Sequence, residues 1–400
     1  MRWLIVAIAM IVSLQAEIDK KWETNKKCEA CHMHISGKWE GSRHSNSHFS
    51  KNDLYKKSLE YIVEKSPKKI LDEVKIECAK CHNPRITKKY MNNEDKILLA
   101  LGIKEQERKF AKVLNTEYMK NGINCIVCHN VDEIHLDKKA GSQGLNSIKF
   151  GPQGTMYGPL DDANSPYHKT EQRAHFTDDN PMLCFSCHYS GKNSHGVEVY
   201  ATGEEYDIYK DKKAQEGCKK CHMSKKKEGL ASNFPIEGKQ PRVRMVREHR
   251  FASVDNSSIF TDYVEIEDSI KDNKFNIELI NKAPHNVPTG YGLREIILNI
   301  EFFNKDDRSI SKDSRILGAT WRDKRGDITI PHLAKSIISD TRLRGKSSKI
   351  FSFELPDGAD IVSYRFSYRL INSDIAKKIG VSDKFFLKEY ILLEKRVLLK

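Results

Sequence analysis

CEACH at Cys28–His32, CAKCH at Cys78–His82, CIVCH at Cys125–His129, CFSCH at Cys184–His188 and CKKCH at Cys218–His222 hold every cysteine of this 400-residue chain. With ten Cys and 15 His available, random order would give about 0.01 such pentads. A disulfide framework needs no imidazole beside every second thiol. Zinc sites built from paired C-x-x-C motifs would leave a fifth pair and all five adjacent histidines unused. The spacing instead suits covalent haem c: two thiols reach the two vinyl groups of one macrocycle, and the next residue offers an axial nitrogen. The attachment residues are Cys28, Cys31, Cys78, Cys81, Cys125, Cys128, Cys184, Cys187, Cys218 and Cys221, and the proximal histidines are His32, His82, His129, His188 and His222.

Five haems between residues 28 and 222 leave about 39 residues for each. That is too little polypeptide for a conventional core around each one, so the macrocycles themselves form the core of a domain of short helices and loops. Ten further histidines compete for the opposite face of iron: His34, His44, His48, His135, His168, His175, His195, His249, His285 and His332. An iron with two protein ligands carries electrons, whereas an open one binds small molecules. The excess of histidine argues for bis-histidine ligation. Met156, Met182 and Met245 are weaker alternatives.

Outside the pentads, Tyr55, Leu59 and Ile62 mark a helix that stops before Pro67, and a second helix is expected over Lys104–Lys120. Residues 141–181 read as loop. Near residues 252–272 the hydrophobic period changes to two: Phe275, Ile277 and Leu279; Ile296, Leu298, Ile300 and Phe302; Phe351, Phe353 and Leu355; Val362, Tyr364, Phe366, Tyr368 and Leu370. The fold class is therefore mixed: a haem-packed domain of short α-helices and loops over residues 17–255, then an antiparallel β-sandwich domain over 256–400. Residues 1–16 read as a secretory signal, with Arg2, an apolar run from Trp3 to Leu14, and small Ala16 before the cut.

The stretch CEACHMHISGKWEGSRH resembles the first-haem signature of multihaem cytochromes of the cytochrome c-554 type, relatives of the haem domains of hydroxylamine oxidoreductases. The resemblance implies that His44 is a distal ligand. Tyr157–His188 is similar to a segment whose histidines ligate neighbouring haems, which implicates His168 and His175. REHRF after the last pentad resembles a closing motif and implicates His249. APHNVPTGYGLR, at 283–294, resembles a histidine-Pro-Thr-Gly element and implicates His285. His135, His195 and His48 stand in reserve, while His34 and His332, the latter after Pro331 at a strand end, read as structural or exposed. None of the pentads is the C-x-x-C-K variant of pentahaem nitrite reductases, which counts against that chemistry.

The net charge of +13 comes without a nucleic-acid-binding motif. Ten haem propionates would lower it to about +3, so the basic excess reads as propionate pairing and solvated surface. The patch from Lys210 to Lys227 could steer an acidic partner. The sequence thus points to an exported, periplasmic electron carrier whose partners are redox proteins: a quinol dehydrogenase, a reductase or another cytochrome. Membrane attachment would come only through a partner or an uncleaved signal. The competing reading is an oxidoreductase with one five-coordinate haem acting on a small nitrogen or sulfur compound, its pocket lined by Tyr157, Tyr167, Arg173 and an unligated His175.

Overall fold

A computed structural model describes residues 24–399 apart from 86–93, 95–96, 99–100, 102, 140, 212–216, 236–237, 239, 253 and 255–257. The expected signal, residues 1–16, lies outside the described residues, as does part of the basic patch. The fold is mixed, with short helices first and antiparallel sheets after them.

The helices are α1 (Lys26–Glu40), α2 (Asp53–Glu64), α3 (Leu71–His82), α4 (Lys104–Leu114), α5 (Glu117–Lys120), α6 (Cys125–His129), α7 (Met182–His188), α8 (Thr202–Tyr209), α9 (Cys218–His222), α10 (Ser258–Tyr263), α11 (Ser373–Ile379) and α12 (Lys384–Leu387). Each pentad lies on a helix, and four of the five helices end at the pentad histidine; α1 kinks there instead, at His32. One helical turn places both cysteines and the histidine toward the same side. In α2 the Asn52 side chain accepts from the Tyr55 amide, a cap that contributes about 1 kcal/mol. Leu54, Leu59, Tyr61 and Ile62 form its buried stripe. The single helix expected over Lys104–Lys120 is broken instead. The Thr116 amide turns back to Val113 O, three residues away instead of four, and its Oγ1 donates to the same carbonyl, while Asn115 Nδ2 joins its own amide on Ala111 O. The stretch read as loop contains a short parallel pairing of Thr155–Gly158 with Lys169–Gln172.

Two larger antiparallel sheets follow. One runs β8–β2–β1 and the other β4–β3–β9–β10, with β1 Val264–Lys271, β2 Lys274–Asn281, β3 Glu295–Phe303, β4 Ser309–Leu317, β8 Ser348–Glu354, β9 Ile361–Arg369 and β10 Tyr390–Leu398. The small sheet between them in sequence comprises β5 (Ala319–Arg322), β6 (Ile328–Thr329) and β7 (Ser336–Asp340). Phe275 pairs with Phe353 and Ile277 with Phe351 in the first sheet, and Ile300 pairs with Tyr364 in the second. Their inward faces share one core that includes Phe275, Ile277, Leu279, Leu298, Phe302, Tyr364 and Phe366.

A second core crosses the sequence midpoint. Leu59, Tyr61, Ile62 and Val74 pack with Leu293, Trp321, Ile330, Leu370, Ile371, Ile375 and Phe386. Burying side chains of this size stabilises by about 1.5–3 kcal/mol each. Polar clamps reinforce the seam: Asp53 Oδ2 accepts from the Ser382 and Asp383 amides, and Asn193 Nδ2 donates to the Pro331 and Ala334 carbonyls.

Candidate haem-binding centre

The pentad helices converge on one cavity of about 2180 Å³ whose lining includes all ten cysteines. The thiols are free, and none is bridged to its pentad partner. Thiols of different pentads lie close enough to perturb one another: Cys28 with Cys125, Cys81 with Cys187, and Cys184 with Cys218. Burial pushes the Cys128 thiol up to about 12, with the charges of Cys184 and Cys187 adding to the effect. The fourth pentad is therefore near the second, third and fifth, and the first is near the third.

Ten histidines line the same cavity: the five pentad residues and His44, His168, His249, His285 and His332. Four pairs face each other. Ring centres lie 6.4 Å apart for His32 and His168, 6.1 Å for His44 and His188, 6.0 Å for His129 and His249, and 6.1 Å for His222 and His285. With metal–nitrogen bonds of about 2.0 Å and a ring centre roughly 1.1 Å behind each ligating nitrogen, two imidazoles in trans on one metal stand about 6.2 Å apart. The pairs have the separation that a shared iron requires.

Backbone contacts set the tautomers. Nδ1 bonds a carbonyl in His32 (Ala231), His82 (Ser47), His129 (Tyr157), His168 (Lys169), His249 (Arg247) and His285 (Asn286). A proton held on Nδ1 leaves the Nε2 lone pair free for a metal. Burial lowers His82, His129 and His285 and so favours their neutral form, the one that ligates. It lowers His44 to about 3, with help from His188 and His82, and His222 to about 4, with help from His285 and His188. His249 falls to about 4 through burial and then His129.

The remaining histidines stand elsewhere. His175 does not line the cavity, and its Nε2 is engaged by Val131 O at 3.1 Å; the distal role implied for it does not fit these surroundings. His48 uses both nitrogens, on Ser50 Oγ and Leu114 O. His34 and His195 are exposed, and His135 is exposed and paired with Glu133. Arg173 is tied to Asp132 and Glu171 over the Tyr157 ring, outside the cavity lining.

Sequence reasoning passed over His332, which lies among the cavity residues, and Glu205. The latter is 5% exposed and holds the loop that carries His285. Its carboxylate accepts from Asn286 N (3.1 Å), Asn286 Nδ2 (2.8 Å), Thr289 Oγ1 (2.6 Å) and Arg342 Nη1 (3.0 Å). No local motif marks a residue whose partners lie 81 to 137 positions away. Among the described residues the cavity is lined by ten Lys and Arg side chains against five Asp and Glu, a balance that suits ionised propionates.

Residues 64–233, which hold four of the pentads, match the family model described as outer membrane cytochrome MtrC/MtrF-like, domains II/IV. The fold is similar to that of a penta-heme cytochrome c552 from Thermochromatium tepidum, with a TM-score of 0.67 and 17% identity over 93% of this chain and 97% of that one. No curated protein matches the chain. Pentads that converge on one cavity, facing imidazoles at metal-sharing separation, and these two likenesses together support a multihaem cytochrome c.

Proposed function

We propose that this protein is an exported pentahaem cytochrome that transfers single electrons between redox proteins. When bound, haem c supplies an iron that alternates between ferric and ferrous states. The polypeptide fixes where each iron stands and how readily it changes state. Cys28 and Cys31, Cys78 and Cys81, Cys125 and Cys128, Cys184 and Cys187, and Cys218 and Cys221 anchor five haems. His32 with His168, His129 with His249, His188 with His44, and His222 with His285 supply axial pairs. Two imidazoles favour lower potentials than a His/Met set, and the backbone carbonyls on Nδ1 raise ligand basicity further.

The observation that carries this reading is the set of four facing histidine pairs in a cavity lined by all ten cysteines. The proximity of thiols from different pentads supports a branched haem order, first to third to fourth, with the second and fifth both beside the fourth. Such a junction gives three ends at which partners can exchange electrons. We further read residues 17–255 as the haem domain, 256–400 as a β-sandwich domain, and 1–16 as a signal that delivers the chain to the periplasm or beyond. A quinol dehydrogenase as donor and a reductase or second cytochrome as acceptor fit this role.

The competing enzyme reading is favoured by one feature: among the described residues no histidine ring stands at the common separation from His82, whose stacked neighbour is Tyr55 at 3.9 Å. The test is a pyridine haemochrome count on the holoprotein, with low-temperature EPR of the oxidised form, with and without nitrite or hydroxylamine. Five haems per chain, low-spin and unmoved by either compound, are expected. A count other than five, or a high-spin signal of one iron that either compound converts, would overturn the carrier reading.

A further inference from the structure

We infer that His332 is the sixth ligand of the haem attached at Cys78 and Cys81, opposite His82. The inference rests on the pentahaem reading above. Five histidines outside the pentads line the haem cavity, four of them are already matched to pentad histidines at 6.0–6.4 Å, and His332 is the one left over. His82 is likewise the pentad histidine left without such a partner. The ring of His332 lies 5.7 Å from that of Tyr291, which also lines the cavity and approaches Ser58 of α2 at 3.5 Å.

The backbone around His332 is fixed as a ligand requires. It lies in the turn Pro331–Leu333 between Ile330 and Ala334, both fully buried. Asn193 Nδ2 donates to the carbonyls of Pro331 and Ala334, at 2.8 Å each, and so pins the turn to the haem-bearing part from both sides. His332 Nδ1 is buried without a hydrogen-bond partner, as is Nδ1 of His44, which does stand opposite a pentad histidine. A buried imidazole nitrogen left unpaired is destabilising. Metal ligation by that ring is a reason for a polar side chain to be kept there.

The experiment compares wild-type holoprotein with His332→Gly and His332→Met. A haemochrome count is combined with EPR and near-infrared magnetic circular dichroism, which reads axial ligand pairs. Wild type is expected to show five bis-histidine low-spin haems. In His332→Gly one haem in five becomes high-spin and returns to low-spin on addition of imidazole; in His332→Met one haem in five acquires a His/Met signature. Two results would overturn the assignment: wild type with one haem that is not bis-histidine, which requires no variant to fold, or His332→Gly with all five haems still low-spin. A wild-type count other than five strikes the pentahaem reading itself, so the two failures are told apart.

Discussion

Replacing Glu205 by Ala removes the acceptor from four donors at one buried point. Each hydrogen bond to a charged group contributes about 1.5–3 kcal/mol net, and the four do not add because they share one carboxylate. Breaking a buried ion pair from one side costs about 3–5 kcal/mol. Arg342 softens the loss because it keeps Asp340, with Nε and Nη2 at 2.9 and 2.7 Å. Thr289 Oγ1 can turn to Thr202 Oγ1 at 3.1 Å, but among the described residues the Asn286 donors have no such second acceptor. The expected destabilisation is therefore about 3–4 kcal/mol for Glu205→Ala. Glu205→Gln keeps the shape and part of the acceptor set but not the charge, and should lose about 1–2 kcal/mol. The assay is guanidinium unfolding of variants with the same haem count, followed by far-UV circular dichroism and compared through the shift in midpoint at common slope. Because the clamped loop carries His285, the haem at Cys218 and Cys221 should also gain high-spin character in Glu205→Ala. A loss below about 1 kcal/mol with an unchanged haem spectrum would refute the clamp.

Two further outcomes follow from local geometry. Burial alone would raise the Asp178 carboxyl, but hydrogen bonds and charge from Arg247 and Lys226, at 2.9 and 2.8 Å, outweigh it and hold the group at about 2. Since the folded value lies below the ordinary aspartate value of 3.8, its stabilisation is present above about pH 4 and lost as pH falls through 2. Acid titration should therefore loosen the Arg247–His249 segment over that window in wild type and not in Asp178→Asn; coincident curves would sink the idea. At Gly144, φ is +70° and a Cβ would lie 2.3 Å from Lys80 O and 2.8 Å from Cys81 Sγ. Gly144→Ala should cut haem loading at the second pentad. Gly141→Ala, at φ +87° but with nothing within 4 Å, should lose stability only; equal haem counts in both variants would remove the steric argument.

The pentads were readable because their chemistry is local: three residues on one turn do one job. The strands were readable for a similar reason, since Phe275, Ile277 and Leu279 alternate in sequence and are 0–1% exposed in the fold. Pairing across distance was not. Nothing near His332 announces that its turn faces a cavity whose other histidine is 250 positions earlier, and Pro331 beside it favoured a plain strand end. His175 shows the converse, a neighbourhood that resembles a ligand segment around a ring whose Nε2 lies 3.1 Å from Val131 O. The break in the 104–120 helix was hidden in ordinary residues: Asn115 and Thr116 tolerate a helix, yet the amide and hydroxyl of Thr116 both turn back to Val113 O.

The seam between the two halves follows from the haem arithmetic. About 39 residues per pentad can supply two thioether anchors and a proximal imidazole, but few remain to approach each iron from the other side. The sheet-bearing half offers what is missing. It carries His285 on the loop between β2 and β3 and His332 on the turn after β6, both lining the cavity. A ligand borrowed from another part of the chain is useful only if its position is held to a fraction of an ångström. That requirement accounts for the apolar core shared by α2 and α11, for the Asp53 and Asn193 clamps, and for the charged clamp at Glu205 next to the His285 loop. A freely tethered β unit could not meet it, so the seam is part of the haem centre and its residues should affect haem spectra as well as stability.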